Sequence, residues 1–463
     1  MTKNGWIWAG ATSLALLLAG CSGEGKSASG TGSSPSDDAM VAAKPVPVAK
    51  PGEKLTGNVE VQAFKGGFGI DFYQKAADEF MAKNPDVKVK VEGDPRVWEK
   101  LRPRLVSGDT PDLMFPGWDM DHWGLVQEGQ LYSLDAALDS EPYEGTGKWR
   151  DTFEPALLKL GQLNGKQYVL PYYMIVMGWW YDPGVFAKNG WTVPKTYEEL
   201  LELCPKIKAK GIAPITFQGK YPYYMMFGML LPWCQSVGGL QAINDAQNLV
   251  PGAWKSPAML QAAKMIRELG DKGFYQEGAV GLSHTESQTE FLNGHAAMIP
   301  CGTWLESEMK NVTPPGAKMQ FMLPPVFKDG KGDPSALMID IEPWMIPSAA
   351  KNPKAAVALY KYMTSLPVAK RFVEEKGTLM AIKGSDDTKL PETLQVPAKA
   401  FHDSKAVYCY QARHYYKVMD KEIQDALTSM LNKQITPEQF CDRAEAAAEK
   451  TRKDDSIPKR KIE

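Results

Sequence analysis

Nine residues, Phe115 to Trp123 (FPGWDMDHW), place three aromatic rings, two carboxylates and an imidazole around a Pro-Gly turn. Flat rings can lie against the apolar face of a hydrophilic ring-shaped ligand while carboxylates and amides take its edge. The same letters serve equally well as a packed loop or as the acid of a catalytic cleft. Similar mixtures recur in FKGGFG (64–69), MGWWYDPGVF (177–186), CGTWLESEM (301–309) and DIEPWMIP (340–347). Any site made from them has to be assembled by folding distant segments together.

The candidate walls are Trp118, Trp180, Trp304 and Trp344, with Asp119 and Glu342 at an edge. Trp304 reads either as a stacking wall near Glu306 and Glu308 or as a core ring after a strand. Trp179, Trp180 and Tyr181 alternate if extended, so one Trp points inward, the other outward, and at most two of the three rings share a cleft. Gly66 and Gly67 let backbone N–H groups approach a ligand closely. Gln218 and Tyr221, in ITFQGKYPYYMMF, supply partners for an N-acetyl group, with core packing as the competing use.

Catalytic chemistry finds weaker support. A glycosidase needs two carboxylates roughly 5 to 9 Å apart, and Asp119, Asp121, Asp340 and Glu342 are candidates; with 55 acidic residues, such candidates are cheap. No GxGxxG, HExxH or GxSxG pattern occurs. The cysteines form no CxxC pair and have no His cluster beside them, which argues against zinc. The expectation is no catalytic residue, no metal and no cofactor. The 53 basic and 55 acidic residues nearly cancel, so no global field attracts nucleic acid.

These segments need a scaffold, and 463 residues suffice for two or three domains. The start, MTKNGWIWAGATSLALLLAGC, has Lys3, an apolar run and small residues, the pattern of an export signal over 1–21. LAGC resembles the lipobox of bacterial lipoproteins, which would leave Cys21 as a lipidated first residue. Each buried acyl methylene contributes roughly 0.8 kcal/mol of membrane affinity. Residues 22–54, rich in Gly, Ser, Lys and Pro, read as a flexible tether, with folded sequence beginning near Leu55. The other five cysteines specify no disulfide pairing.

Alternation in NVEVQAF and DVKVKVEG predicts strands flanking a helix from Asp71 to Asn84, an α/β unit. Further strands are expected in DLMF, GKQYVLPYYMIVMGWWYD, HAAMIP, KMQFMLPPV and SALMIDIEPWMIP. Thr196 with Glu199 forms a capping box for a helix that Pro205 should bend or break. Ser256 and Pro257 start another helix, Asn352 and Pro353 a third, and 412–450 is mostly helical with an interruption at 435–437.

FKGGFG, VWEKLRPRLVSGDTPDLMF (97–115), WYDPGVFAKNGWTVPKTYEELLELCPKIKAKGIAPITFQGKYPYYM (180–225), PGAWKSPAMLQAAKMI (251–266), GLSHTESQTEFLNGHAAMIPCGTWLESEMK (281–310) and ITPEQFCDRAE (435–445) carry a resemblance through nearly all of the mature chain. It resembles the bacterial extracellular solute-binding proteins of carbohydrate ABC transporters, most closely the N-acetylglucosamine or chitobiose-binding branch. That resemblance implies a two-lobe α/β periplasmic-binding-protein fold with a central cleft and interlobe crossings. The first lobe would comprise 55–172 and 333–390, and the second 173–332 and 391–463. It also implies a monomer, lipid-anchored at the cell membrane and facing the extracellular space or periplasm, that passes an N-acetylated mono- or oligosaccharide to ABC permease subunits. Trp304 leads the implied ligand contacts, followed by Trp118, Asp119, Trp180 and Trp344. GWDMDHW departs from better-known sugar binders. A glycan-active cleft enzyme and an adhesion or structural lipoprotein remain the alternatives.

Overall fold

The computed structural model describes residues 43–462. The signal segment, Cys21 and the tether as far as residue 42 lie outside the described residues. The strands are β1 (Gly57–Phe64), β2 (Val87–Asp94), β3 (Leu113–Phe115), β4 (Gln162–Leu163), β5 (Lys166–Gln167), β6 (Leu170–Tyr181), β7 (Ala213–Ile215), β8 (Ala296–Gly302), β9 (Gln320–Met322), β10 (Leu337–Trp344), β11 (Leu379–Met380) and β12 (Val407–Tyr408).

Two sheet-centred α/β lobes result. In the first, β2, β1 and β3 run parallel in that order. Alternation in β1 turns Val59, Val61 and Ala63 inward, and helix Asp71–Lys83 covers the sheet with Phe72, Tyr73, Ala76, Ala77 and Phe80. A bridge between Met114 and Met345 ties β3 to the far end of β10.

The larger mixed sheet has the order β12-β10-β6-β8-β7, with β9 and β11 also on β6. The first half of β6 pairs with β10 and β11, and its second half, from Met177, with β8 and β9. Helices Lys417–Leu431 and Pro437–Lys453 pack on each other, and the latter also on helix Pro257–Asp271.

Three local expectations change. Packed chain begins before Leu55: Val46 is buried and its N–H donates to the Ser133 carbonyl at 2.8 Å, which removes residues 45–46 from the tether. Helix Tyr197–Lys208 runs through Pro205 without a break. One missing N–H is outweighed there by the buried face of Leu200, Leu203, Cys204 and Ile207 and by the Thr196–Glu199 capping box. Finally, β6 is buried on both faces, so Trp179 and Trp180 are both interior. A strand covered on two sides has no outward face to alternate with.

Candidate functional site

Four of the sequence-predicted contacts are interior. Trp344 is 0% exposed, its ring set among Tyr73 at 5.2 Å, Phe115 at 5.8 Å and Tyr360 at 5.8 Å. Its indole N–H donates to Glu342, which also accepts from the Tyr73 hydroxyl at 2.7 Å. Burial pushes the Glu342 carboxyl up to about 8, while hydrogen bonds from Tyr73, Tyr173 and Trp344 pull the other way. Trp180 donates from its indole to the Gly302 carbonyl at 3.0 Å and meets Phe321 edge-on at 5.4 Å. Gln218 donates to the Pro300 carbonyl at 2.9 Å. As placed here, Trp180, Trp344, Gln218 and Glu342 support the scaffold and present no face to a ligand.

The other six lie at or near the surface. Trp118 is half-buried: its indole N–H donates to the Ile341 carbonyl at 3.1 Å, and its ring stands nearly perpendicular to Phe64 and Phe115 at 5.7 and 5.4 Å. Asp119 is exposed, and its backbone carbonyl accepts from Arg102 at 3.0 Å and Lys417 at 2.8 Å. Trp304, half-buried just before helix Leu305–Met309, packs against Tyr224 at 5.8 Å. The Gly67 carbonyl accepts from the Ser307 hydroxyl at 3.3 Å, and a Cβ on Gly67 would lie 3.1 Å from Glu308 Cβ. Gly66 sits against the Phe64 ring. Tyr221 is exposed and meets the His284 ring edge-on at 5.2 Å.

The structure brings a further cluster to Trp118. Asp340, on β10, faces Arg413 at 3.5 Å. The Arg413 guanidinium also lies over the rings of Tyr223 and Phe227, at 5.7 and 5.1 Å. Burial pushes the Asp340 carboxyl up, and Arg413 pulls it back. Beside them the His122 and His414 rings are 4.9 Å apart and Trp123 stacks on Tyr415 at 5.4 Å. Gln247 anchors this C-terminal segment, donating to the Cys409 carbonyl and accepting from the Gln411 and Ala412 N–H groups. Residues 409–417 and 118–123 therefore meet from opposite sides.

Sequence spacing does not single out Arg413; its only signal is a basic residue among the rings of YQARHYYK. Asp340 was legible as one carboxylate among many. The small cavity bounded by Trp118, His122, Asp340, Cys409 and His414 measures about 20 Å³, room for roughly one water-sized group. A groove of about 720 Å³ lies along β6, β9 and β10, lined by Met177, Tyr181, Phe321, Leu337 and Tyr408 and by none of the ten predicted contacts. Among the described residues no group of three His, Cys, Asp or Glu could hold a metal, and no helix is long and apolar enough to cross a membrane.

Two sheet-centred α/β lobes, one on the β2-β1-β3 sheet and one on the larger mixed sheet, define a two-lobe periplasmic-binding-protein fold. Residues 69–370 match the family described as bacterial extracellular solute-binding protein, and the chain belongs to that family. It is 29% identical over 347 residues to the diacetylchitobiose binding protein NgcE of Streptomyces coelicolor, covering 72% of this chain and 71% of that protein. The multiple sugar-binding protein of Streptococcus mutans is 25% identical over 347 residues, covering 73% and 78%. Among solved structures, a chitin oligosaccharide binding protein superposes with a TM-score of 0.72 at 21% identity, covering 85% of this chain and 98% of that one. The RafE solute-binding protein in complex with raffinose gives 0.68 at 20% identity, covering 85% and 99%.

Proposed function

We propose that this protein is a non-enzymatic carbohydrate receptor of an ABC transporter, taking an N-acetylated sugar or short oligosaccharide between its lobes. The observation that carries this reading is the gathering of Trp118 and Asp340 at one small cavity, with Arg413 paired to Asp340 and lying over the ring of Tyr223. Rings offer the apolar face of a sugar a wall, and fixed charges offer its hydroxyls partners. Trp304 and the Gly66–Gly67 loop extend the same wall. The names of NgcE and the chitin oligosaccharide binding protein favour an N-acetylated ligand. Residues 55–172 with 333–390 move as one lobe and 173–332 with 391–463 as the other. A ligand touching both stabilises the approached arrangement over the separated one. Cys21 carries the lipid that holds this body at the membrane beside its permease.

A thermal-shift and calorimetric screen across N-acetylglucosamine, N,N′-diacetylchitobiose, cellobiose and raffinose tests the proposal. A ligand bound only by the folded form raises the melting temperature. Saturable binding of an intact sugar is expected. The absence of any shift across the panel, or the appearance of hydrolysis products on prolonged incubation, would overturn it.

A further inference from the structure

We propose that residues 454–462 form a strap that holds the 409–416 segment in place, with Asn248 as its positioning residue, so that ligand affinity depends on chain lying away from the site. The strap stands on its own contacts. Its effect on affinity rests on the reading of the Trp118–Asp340 region as the ligand site.

Cys409, Gln411 and His414 line the small cavity with Trp118 and Asp340, and Arg413 lies 3.5 Å from Asp340. Two consecutive amide side chains stand behind this segment. Gln247, 1% exposed, holds its backbone at Cys409, Gln411 and Ala412. Asn248 turns to the strap: its Nδ2 donates to the Ile462 carbonyl at 2.8 Å, and its Oδ1 accepts from the Ile462 N–H at 2.7 Å. Nδ2 also donates to the Asn244 carbonyl at 2.8 Å, which fixes the orientation of the amide. Such two-point pairing with a backbone needs a carboxamide, because alanine supplies neither group and aspartate no donor. At the other end of the segment the Arg460 N–H donates to the hydroxyl of buried Tyr416 at 2.8 Å. The strap therefore reaches 409–416 at both ends, once through the Gln247–Asn248 pair and once directly.

The backbone beside Asn248 is held against its preference. Leu249 has φ +58°, a left-handed conformation disfavoured for a residue with a Cβ, and such strain persists only where the surroundings impose it. Arg452, in the last turn of helix Pro437–Lys453, donates to the Leu249 carbonyl at 2.6 Å. The strap leaves that helix by a turn in which the Asp454 carboxylate accepts from the Ser456 N–H at 2.9 Å, and it buries Ile462. A segment tied by a few side-chain contacts opens at lower free energy than a core strand. Release of the strap would loosen 409–416 while the sheets stay folded.

The test is hydrogen exchange, with calorimetric titration of N,N′-diacetylchitobiose, on wild type, Asn248→Ala and a chain ended at Lys453. The shortened chain keeps Asn248 and isolates the strap; Asn248→Ala decides if the shortened chain does not fold. Amide protection at Gln411 and Ala412 is expected to fall at least tenfold, β1 to exchange as in wild type, and affinity to fall at least fivefold. Wild-type protection at Gln411 and Ala412 would overturn the strap. Equal loss of protection in β1 would also overturn it, since the tail would then only stabilise the whole fold, and loosened amides with wild-type affinity would remove its role in binding. If wild type binds no sugar, the sugar reading fails, while exchange at Gln411 and Ala412 still decides the strap.

Discussion

The Trp304 indole closes directly over Gly302: a Cβ at position 302 would fall 1.9 Å from Trp304 Cζ3 and 2.5 Å from Cε3. Gly302→Ala therefore displaces the ring without altering it, and Trp304→Ala removes it. Both variants are expected to weaken binding of N,N′-diacetylchitobiose at least tenfold with unchanged far-UV circular dichroism. Wild-type affinity in folded Trp304→Ala would remove Trp304 from the ligand wall.

His122 and His414 are buried against each other, and burial, with Lys417 and Arg413 nearby, lowers His122 to about 3 and His414 well below its usual value. Once unfolded, each returns to roughly 6.5. Below that value the unfolded chain binds protons the folded one refuses, so stability is lost as pH falls from about 6.5. The slope is at most about 1.4 kcal/mol per pH unit for each ring. Urea unfolding at pH 7, 6 and 5 should show this decline, flattened in His122→Phe and His414→Phe. Parallel profiles for wild type and both variants would refute the assignment.

Glu342 acts in the opposite sense. Its folded carboxyl titrates at about 8, against roughly 4.3 when unfolded. The folded protein thus holds an extra proton between those values, and stability falls as pH rises through the window. Glu342→Gln keeps an acceptor for Tyr73 and Trp344 but cannot ionise. It is expected to melt higher than wild type at pH 8 and near it at pH 5; a constant offset at both pH values would contradict the buried neutral acid.

Gly178 tests the crossing strand. A Cβ there would lie 2.1 Å from Phe321 Cζ and 2.7 Å from the Met322 carbonyl. Since β9 pairs with β6 at Trp179, Gly178→Ala must push β9 outward. Overpacking of this kind typically costs about 1 to 3 kcal/mol. Chemical denaturation should show such a loss; an unchanged midpoint would mean that β9 moves freely.

Much of the fold is written in short-range pattern. Alternation locates β1 and β2, the Thr196–Glu199 box and the Ser256–Pro257 pair start their helices where expected, and the chain breaks before the last helix near Thr436. Capping and periodicity depend on neighbours three or four positions away, which is why they can be read from letters alone. Asn352 marks the limit of that legibility: it precedes its helix as expected, but its side chain donates to the Thr56 and Asn58 carbonyls instead of capping.

The candidate site is different. Trp118 and Trp180 are the same residue type in similarly aromatic surroundings, yet one is half-open and the other is sealed between strands. Arg413 meets Asp340 where Gln247 holds the 409–412 backbone and where Ile341 of β10 accepts from Trp118. By itself the sequence determined where strands and helices form and which residues are equipped to stack or hydrogen-bond. Tertiary structure alone decided which of them face one another, because burial and pairing depend on the elements that cover each face, and those come from distant parts of the chain.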